Sequence, residues 1–546
     1  MRLVPGLIVA TAGLWATTAV AGTHVLTFGG GPPSHNQISL ERNVAYLQRV
    51  LAGVGLGGVR HDIYFGDGGA RNSVQYRLAE GDDQRLTKAL GLILADSPDA
   101  DMRYAKVQIP GLVGPSSVAN LDAWFEGVGR SLPPGQELLF YFTGHGGPDA
   151  EKPDQPRNTS LVMPGYPGAC TVKQFAAQLD KLSPDVDVTL VMVQCYSGGF
   201  ANVIYNDGDP ARGFARHPRA GFFSTVASRT AAGCTPDIDE EDYHEFSTSF
   251  FEALAGETRT GKAVARPDFD GDGRTSYAEA FAHVLLTSDT IDVPTTTSDR
   301  LLRDKSRFAK PEDDPSLGLL AQDAPWSTVL AAASPSQRAA LEGLSQVLGL
   351  DGEDRLARAR AKTKEAAPRR GNRRGRGQNR PGNPPAAPAP EHAEHGPTAQ
   401  APPAPDGQRP QPNAAAGRLR AALAERWPEL TVPLHPDAPR ILAEERDEIR
   451  RFLEAQPDYK AFAQRIPRRE RAQLTTLDPE RQAVKYQRLL ERADSVILAA
   501  NLPRIADAEA LGVYRRLLDL EGRTLGPARA PVAGGQPAPA ASPTGS

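Results

Sequence analysis

Cysteine is nearly absent, with three residues in 546, at positions 170, 195 and 234. So few exclude a disulfide-stapled scaffold, and the odd number leaves at least one thiol without an intramolecular partner. Aromatic residues are sparse at 6%, and neither sign of charge prevails: 62 Lys and Arg face 66 Asp and Glu, for a formal net charge of -4. A balanced chain has no global field to attract a polyanion, so nucleic acid is not an expected partner. Uninterrupted hydrophobic runs of membrane-spanning length are missing beyond the first twenty residues. Length is not lacking, since a chain of this size holds several domains and a buried core.

The amino terminus opens Met1-Arg2, runs through an apolar stretch from Leu3 to Val20, and closes with Ala19-Val20-Ala21 before Gly22. This is the layout of a signal peptide with a small-residue cleavage site. Pro5, Gly6 and three threonines interrupt the stretch, whereas a membrane anchor needs about 20 predominantly apolar residues. Residues 1–21 are therefore expected to direct export, giving a periplasmic or secreted chain with no transmembrane segment after cleavage. Export permits disulfides to form and persist.

From 22 to 298, short apolar runs alternate with amphipathic segments. His24 to Phe28, Val59 to Phe65, Glu137 to Thr143, Val186 to Gln194 and Phe222 to Ala227 read as buried strands. Leu40 to Leu51, Val118 to Val128 and Val172 to Leu182 read as helices. The alternation predicts an α/β fold, a mostly parallel sheet with helices on both faces. Residues 299–365 form a helical extension, with Ser327 to Leu350 amphipathic. Residues 366–417, rich in Pro, Ala, Gly, Arg and Asn, read as a disordered spacer. Helical spacing returns in a module over 418–526, and 527–546 reads as a disordered tail.

Three features mimic sites. Gly53-Val54-Gly55-Leu56-Gly57-Gly58 matches a dinucleotide fingerprint by letters, but it follows a helix and leads into a strand, the reverse of what phosphate binding requires. His392 and His395 lie in the spacer, where solvated histidines are the simpler reading. The arginines between 369 and 380 read as a solvated stretch.

Two apolar strands end in reactive residues. Leu138-Leu139-Phe140-Tyr141-Phe142 runs into Thr143-Gly144-His145-Gly146-Gly147, and Leu190-Val191-Met192-Val193 into Gln194-Cys195-Tyr196-Ser197-Gly198-Gly199. Ligands bind beyond the carboxyl ends of parallel strands, so His145 and Cys195 are expected on one sheet edge. An imidazole beside a thiol lowers the thiol pKa and protonates a leaving amine. Gly146 leaves room for a substrate carbonyl, and its N–H with that of Cys195 is placed to stabilise an oxyanion. The alternative is a buried core cysteine and a turn histidine.

At these residues the sequence resembles the caspase and legumain clan of cysteine peptidases, in an apolar strand ending in His-Gly and another ending in Gln-Cys-x-Ser-Gly. The clan's spacing of about 50 residues agrees with the interval here. Thr159 to Pro164 looks like the stretch after the His-Gly turn, and Phe223 to Ser228 resembles one wall of the specificity pocket. The resemblance covers Thr23 to Leu286. It implies a caspase-like fold and endopeptidase activity on a protein or peptide, with Cys195 as nucleophile, His145 as general base and acid, and Gly146 in the oxyanion hole. It also points to Asn36 as orienting the histidine. Tyr196 stands where legumains usually carry an acidic residue, and the caspase arginine that reads aspartate has no counterpart, so specificity does not carry over.

Asp268-Phe269-Asp270-Gly271-Asp272-Gly273-Arg274-Thr275-Ser276-Tyr277-Ala278-Glu279 fits the twelve-residue EF-hand loop. Asp268, Asp270 and Asp272 offer hard oxygen ligands, Gly273 permits the sharp turn, the Arg274 carbonyl and Ser276 take the seventh and ninth positions, and Glu279 closes the loop bidentately. A structural or activating Ca2+ is expected, and an acidic helix-capping turn is the alternative. Of the remaining cysteines, Cys170 and Cys234 either pair as a disulfide or stand as two independent buried thiols. The carboxy-terminal module is expected to bind a partner, tether the chain or cap the active site. The competing functional reading is a catalytically silent caspase-like scaffold stabilised by calcium.

Overall fold

The computed structural model describes residues 22–79, 81–97, 99–366, 414–464 and 479–526. The expected signal peptide, the spacer between 367 and 413 with its histidines and arginines, and the tail at 527–546 lie outside the described residues. The elements in chain order are β1 (Thr23–Gly30), α1 (Ile38–Gly53), β2 (His61–Phe65), β3 (Val74–Arg77), α2 (Asp82–Ala95), β4 (Met102–Ala105), β5 (Leu112–Gly114), α3 (Val118–Glu126) and β6 (Glu137–Gly147). They continue with β7 (Ser160–Val162), β8 (Ala169–Thr171), α4 (Val172–Leu179), β9 (Asp187–Met192), β10 (Arg219–Phe223), α5 (Phe246–Ala255), α6 (Tyr277–Thr287), β11 (Thr295–Thr296), α7 (Thr297–Lys305), α8 (Trp326–Ala332), α9 (Pro335–Val347) and α10 (Arg355–Ala366). The rest are helical: α11 (Ala414–Arg426), α12 (Ala438–Glu444), α13 (Arg446–Glu454), α14 (Tyr459–Ala463), α15 (Pro479–Ile505) and α16 (Ala508–Glu521).

The main sheet has the order β11-β10-β9-β6-β1-β2-β5. Its strands pair in parallel except for β11, which is antiparallel to β10. Both faces are covered, as the apolar runs predicted. Along β6, Leu139 and Tyr141 pack with α1, α5 and α6 residues such as Leu47, Phe251 and Phe281. Leu138, Phe140 and Phe142 point to the other face, against Trp124 and Phe125 of α3 and Phe175 of α4. A strand buried on both faces reads as a continuous apolar run, because each side of the two-residue period meets a helix layer. Full burial of each such side chain stabilises by about 1.5–3 kcal/mol.

Three sequence expectations change in detail. The strand expected over Phe222 to Ala227 lies instead at Arg219–Phe223. Its first residue hid it: Arg219 is fully buried, donates to the Val203 carbonyl at 2.9 Å and pairs with Asp180. The helix expected from Ser327 to Leu350 is two helices, because Ser334 caps α9 in a reciprocal capping box with Gln337, with Pro335 at the first helical position. The expected spacer ends early, since α11 begins at Ala414.

Helices α11–α16 make a small all-α carboxy-terminal region that divides between two compact units, one within 1–78, 102–364 and 474–546, the other within 79–101 and 365–473. The second unit has its own core of Leu86 and Leu90 from α2 with Leu419, Leu423, Trp427, Ile449 and Leu453. Arg446 in it donates to Asp83 at 2.9 Å. In the first unit, Leu489, Val496 and Ile497 of α15 join the cluster that holds Phe222 and Phe281. Residues 479–526, read from sequence as part of a 418–526 module, thus pack with the sheet. Among the described residues, no helix is long and apolar enough to cross a membrane.

A buried polar seam accompanies α15 and α16. Arg492 donates to Asp299 at 3.0 Å, and Glu521 accepts from the Ser298 backbone N–H at 3.2 Å and its hydroxyl at 2.8 Å. Burial, with Asp299 nearby, pushes the Glu521 carboxyl up to about 7. A carboxyl whose folded pKa exceeds its unfolded 4.5 favours the fold at low pH, and that stability is lost as pH rises from about 4.5 through about 7. Glu521→Gln removes this loss. Thermal melts are expected to show the variant gaining on wild type as pH rises from 5 to 8, by up to about 3 kcal/mol. A difference independent of pH would contradict the assignment.

Candidate functional site

The β6–β9 ladder carries a constant offset of 50, from Glu137↔Asp187 to Phe142↔Met192. The Val193 amide extends it, donating to the Phe142 carbonyl at 3.1 Å. His145 and Cys195 are also 50 residues apart, so they leave neighbouring strands at the same level, on the carboxyl edge of the sheet. There β6 departs from β9 and pairs antiparallel with β7, His145 opposite Val162 and Gly146 opposite Leu161. Gly146 lies directly against the cysteine: a Cβ built on it would stand 2.0 Å from the Cys195 carbonyl oxygen and 2.7 Å from Gln194 Cγ. The absence of a side chain at Gly146 is thus required by packing against the 194–195 turn before any substrate is considered.

After Cys195 the chain turns sharply. Tyr196 sits at φ 59, a left-handed conformation that is uncommon for a bulky residue, and its amide donates to the Arg229 carbonyl at 2.8 Å. A run of 3-10 helix comes next, over Ser197–Ile204. The Ser197 hydroxyl donates to the Thr225 carbonyl at 3.2 Å, and the Gly198 amide reaches the same oxygen at 2.8 Å. The 223–228 segment is therefore docked against the cysteine turn.

His145 Nε2 is 2.9 Å from Gln37 Oε1, and its ring meets His35 edge-on at 5.6 Å between centroids. Burial, and then the neighbouring His35, hold its pKa below the usual value, so the imidazole is neutral at neutral pH. Cys195 Sγ accepts from the Ala231 N–H at 3.3 Å. Burial pushes the thiol up and Asp292 adds to this, against the Ala231 hydrogen bond. The resting pair is thus a thiol and a neutral imidazole. Among the described residues, no hydrogen bond joins the Cys195 sulfur to His145. A neutral imidazole can still accept the thiol proton as a general base, and such contacts commonly tighten only when substrate binds.

Asn36, linked to the histidine by the resemblance, does not hydrogen-bond to the ring; Gln37 does. Asn36 is fully buried, and neither amide atom has a hydrogen-bond partner. His35 and Gln37 flank Asn36 in a stretch noted from sequence but were given no role there, and Ala231 and Asp292 were not picked out. One signal for the first two was available: Gly29-Gly30-Gly31 ends a third apolar strand, β1, which pairs with β6. Of the two alternatives left open for Cys170 and Cys234, the structure has separate thiols, all three cysteines being free. Cys170 belongs to the core with Phe175 and Phe200. Cys234 faces the Gly144 carbonyl, at 4.0 Å. Burial pushes the Cys170 thiol up to about 12.

The 268–279 loop brings three of its four expected carboxylate ligands together. Gly273 takes φ +79 at the sharp turn, with its amide donating to Asp268 Oδ2 at 3.0 Å. Asp268, Asp270 and Glu279 each offer a carboxylate oxygen within 4.8 Å of the others. That span matches oxygens on opposite sides of one Ca2+ at bond lengths of about 2.3–2.6 Å. Asp272 is not part of the cluster; its Oδ1 accepts from the Arg274 amide at 2.8 Å. Ser276 forms a reciprocal capping box with Glu279, so the helix-cap alternative is present in the same residues. The loop's edge pairs with residues 523–524 after α16, where the Tyr277 amide donates to the Arg523 carbonyl at 2.8 Å and Ser276 bridges Thr524.

These donors fit a divalent cation, which Asp268, Asp270 and Glu279 would hold and which would screen their mutual repulsion. Millimolar calcium is expected to raise the melting temperature relative to chelator, by about 2.7 kcal/mol of stability at a hundredfold excess over Kd. Glu279→Gln should abolish the difference. An equal rise in that variant would remove the loop as the binding site.

No protein-family model matches the sequence, and no curated protein matches it. Among solved structures, protein GSU0716 from Geobacter sulfurreducens is similar at 12% identity and a TM-score of 0.29, covering 50% of this chain and 92% of that one. A likeness of that size carries no inference about activity.

Proposed function

We propose that the chain is an exported cysteine endopeptidase with a caspase-like sheet, acting on protein or peptide substrates and carrying Ca2+ in the 268–279 loop. The observation that carries this reading is the shared offset of 50, in strand register and in sequence, between His145 and Cys195. Cys195 attacks the scissile carbonyl while His145 takes the thiol proton. The Gly146 and Cys195 amides stabilise the oxyanion, and His145 returns the proton to the leaving amine. Water then hydrolyses the thioester, releasing the acid and restoring the thiol. Digestion of a peptide library by wild type beside Cys195→Ala tests the reading.

A second reading, a catalytically silent caspase-like scaffold of the cell envelope, is favoured by a specific observation. Gln37 occupies His145 Nε2, and the Cys195 thiol is pushed up rather than activated. An alkylating peptide probe with mass-spectrometric readout separates the two. Cys195 labelled in preference to Cys170 and Cys234 supports the enzyme, and no labelling in either calcium or chelator leaves the scaffold.

A further inference from the structure

The cysteine turn rests on a loop, 229–232, which in turn rests on residues far away in sequence. Arg488 of α15 is 1% exposed, and its guanidinium donates to the Asp292 carbonyl at 2.7 Å, the Ser288 carbonyl at 2.5 Å and the Thr290 carbonyl at 3.0 Å. One turn earlier on the helix, Lys485 pairs with Asp289 at 2.7 Å. The 288–292 segment is therefore gripped through three backbone oxygens and one carboxylate. The Asp292 side chain is buried too. Its Oδ2 accepts from the Thr290 hydroxyl at 2.9 Å and its Oδ1 from the Ala232 N–H at 2.7 Å. The preceding amide, that of Ala231, is the one aimed at Cys195 Sγ. Arg229, whose carbonyl receives the Tyr196 amide, reaches the Gln487 side chain and the Ile291 carbonyl, both at 3.4 Å.

We propose that Asp292 and Arg488 are positioning residues for the nucleophile: Arg488 fixes the 288–292 turn, Asp292 fixes the Ala231–Ala232 backbone, and that backbone fixes Cys195 Sγ. Helix α15 is thereby part of the catalytic unit. The inference rests on Cys195 being the nucleophile, and it deepens that reading by assigning what holds the sulfur in place. Buried hydrogen bonds to a charged group contribute most when every partner is satisfied, and Arg488 is the one side chain of α15 that forks across three carbonyls of this turn. Asparagine at 292 keeps an oxygen to accept from Ala232, whereas alanine does not.

The test uses the full chain, with hydrogen exchange of the peptide spanning 229–234 as the first readout and peptide cleavage as the second. Asp292→Ala is expected to speed exchange of that peptide at least tenfold and to lower kcat at least tenfold with a smaller change in KM. Asp292→Asn should restore both. Arg488→Ala is expected to act like Asp292→Ala. Where that variant does not fold, the two Asp292 variants decide the matter. Wild-type exchange at 229–234 in Asp292→Ala, or equal acceleration in Asp292→Asn, overturns the proposal. If wild type cleaves no peptide, the endopeptidase reading fails by itself, and the exchange arm still reports whether Asp292 holds the loop.

Discussion

Cys195→Ala is expected to lower kcat for peptide cleavage by about a thousandfold or more, while the protein folds and melts close to wild type. The first half comes from the chemistry: loss of a nucleophile typically costs that much or more. The second half comes from the packing. The sulfur is half-buried and its polar contacts are both with Ala231, accepting from the N–H at 3.3 Å and donating to the carbonyl at 3.9 Å, so its removal is worth about 1 kcal/mol. His145→Ala should cost a similar factor, and the double variant little more than either single one, because residues acting as a unit are not additive. The pH dependence has a defined sign. His145 must be neutral to accept the thiol proton, and its pKa is held below the usual value. The acid limb of kcat/KM is therefore expected below pH 6.5, a boundary that the unperturbed histidine value sets. Cleavage of a library peptide at the wild-type rate by Cys195→Ala would end the cysteine-peptidase reading.

Gly146→Ala is expected to be the most damaging single methyl in the described sheet. The new Cβ would lie 2.0 Å from the Cys195 carbonyl oxygen and 3.1 Å from its carbonyl carbon. Overpacking against movable side chains costs about 1–3 kcal/mol. Here the obstacle is the backbone of the turn that follows β9, held in place by its own hydrogen bonds, so the cost should reach or exceed the top of that range. The ends of β6 and β9 can relieve the collision only by separating, and that displaces His145 from Cys195. The variant should therefore lose activity even where enough of it folds to assay. Gly53→Ala is the matched control, since a Cβ there meets nothing within 4 Å. Comparing melting temperatures and cleavage rates for the two variants checks the claim, and equal behaviour would refute it.

Most of the strands around the site were legible as buried apolar runs, and His145 and Cys195 as reactive residues at the carboxyl ends of two of them. Both signals are local. The EF-hand-like loop was legible for the same reason, because its candidate ligands lie within twelve residues and its glycines sit where the backbone turns. By contrast, β10 begins with a buried arginine whose partners, Asp180 and the Val203 carbonyl, lie elsewhere in the chain. No pattern around Arg219 announces them. Gln37 was given no role, its neighbour Asn36 being preferred, because the partner that decides between them is 108 residues away. Arg488 is one of many arginines in the carboxy-terminal region, and only the fold shows its guanidinium gripping carbonyls nearly 200 positions earlier.

The amino-acid sequence by itself determined the parallel α/β class, the placing of His145 and Cys195 at strand ends and the acidic loop at 268–279, because these depend on neighbours within one or two turns of chain. Tertiary structure alone decided four things: that the two strands share an offset of 50, that Cys170 and Cys234 are separate thiols, that Gly146 must stay bare for packing, and that α15 and α16 belong with the sheet. These are contacts between segments distant in sequence, and periodicity tells which face of a segment is apolar without telling what will cover it.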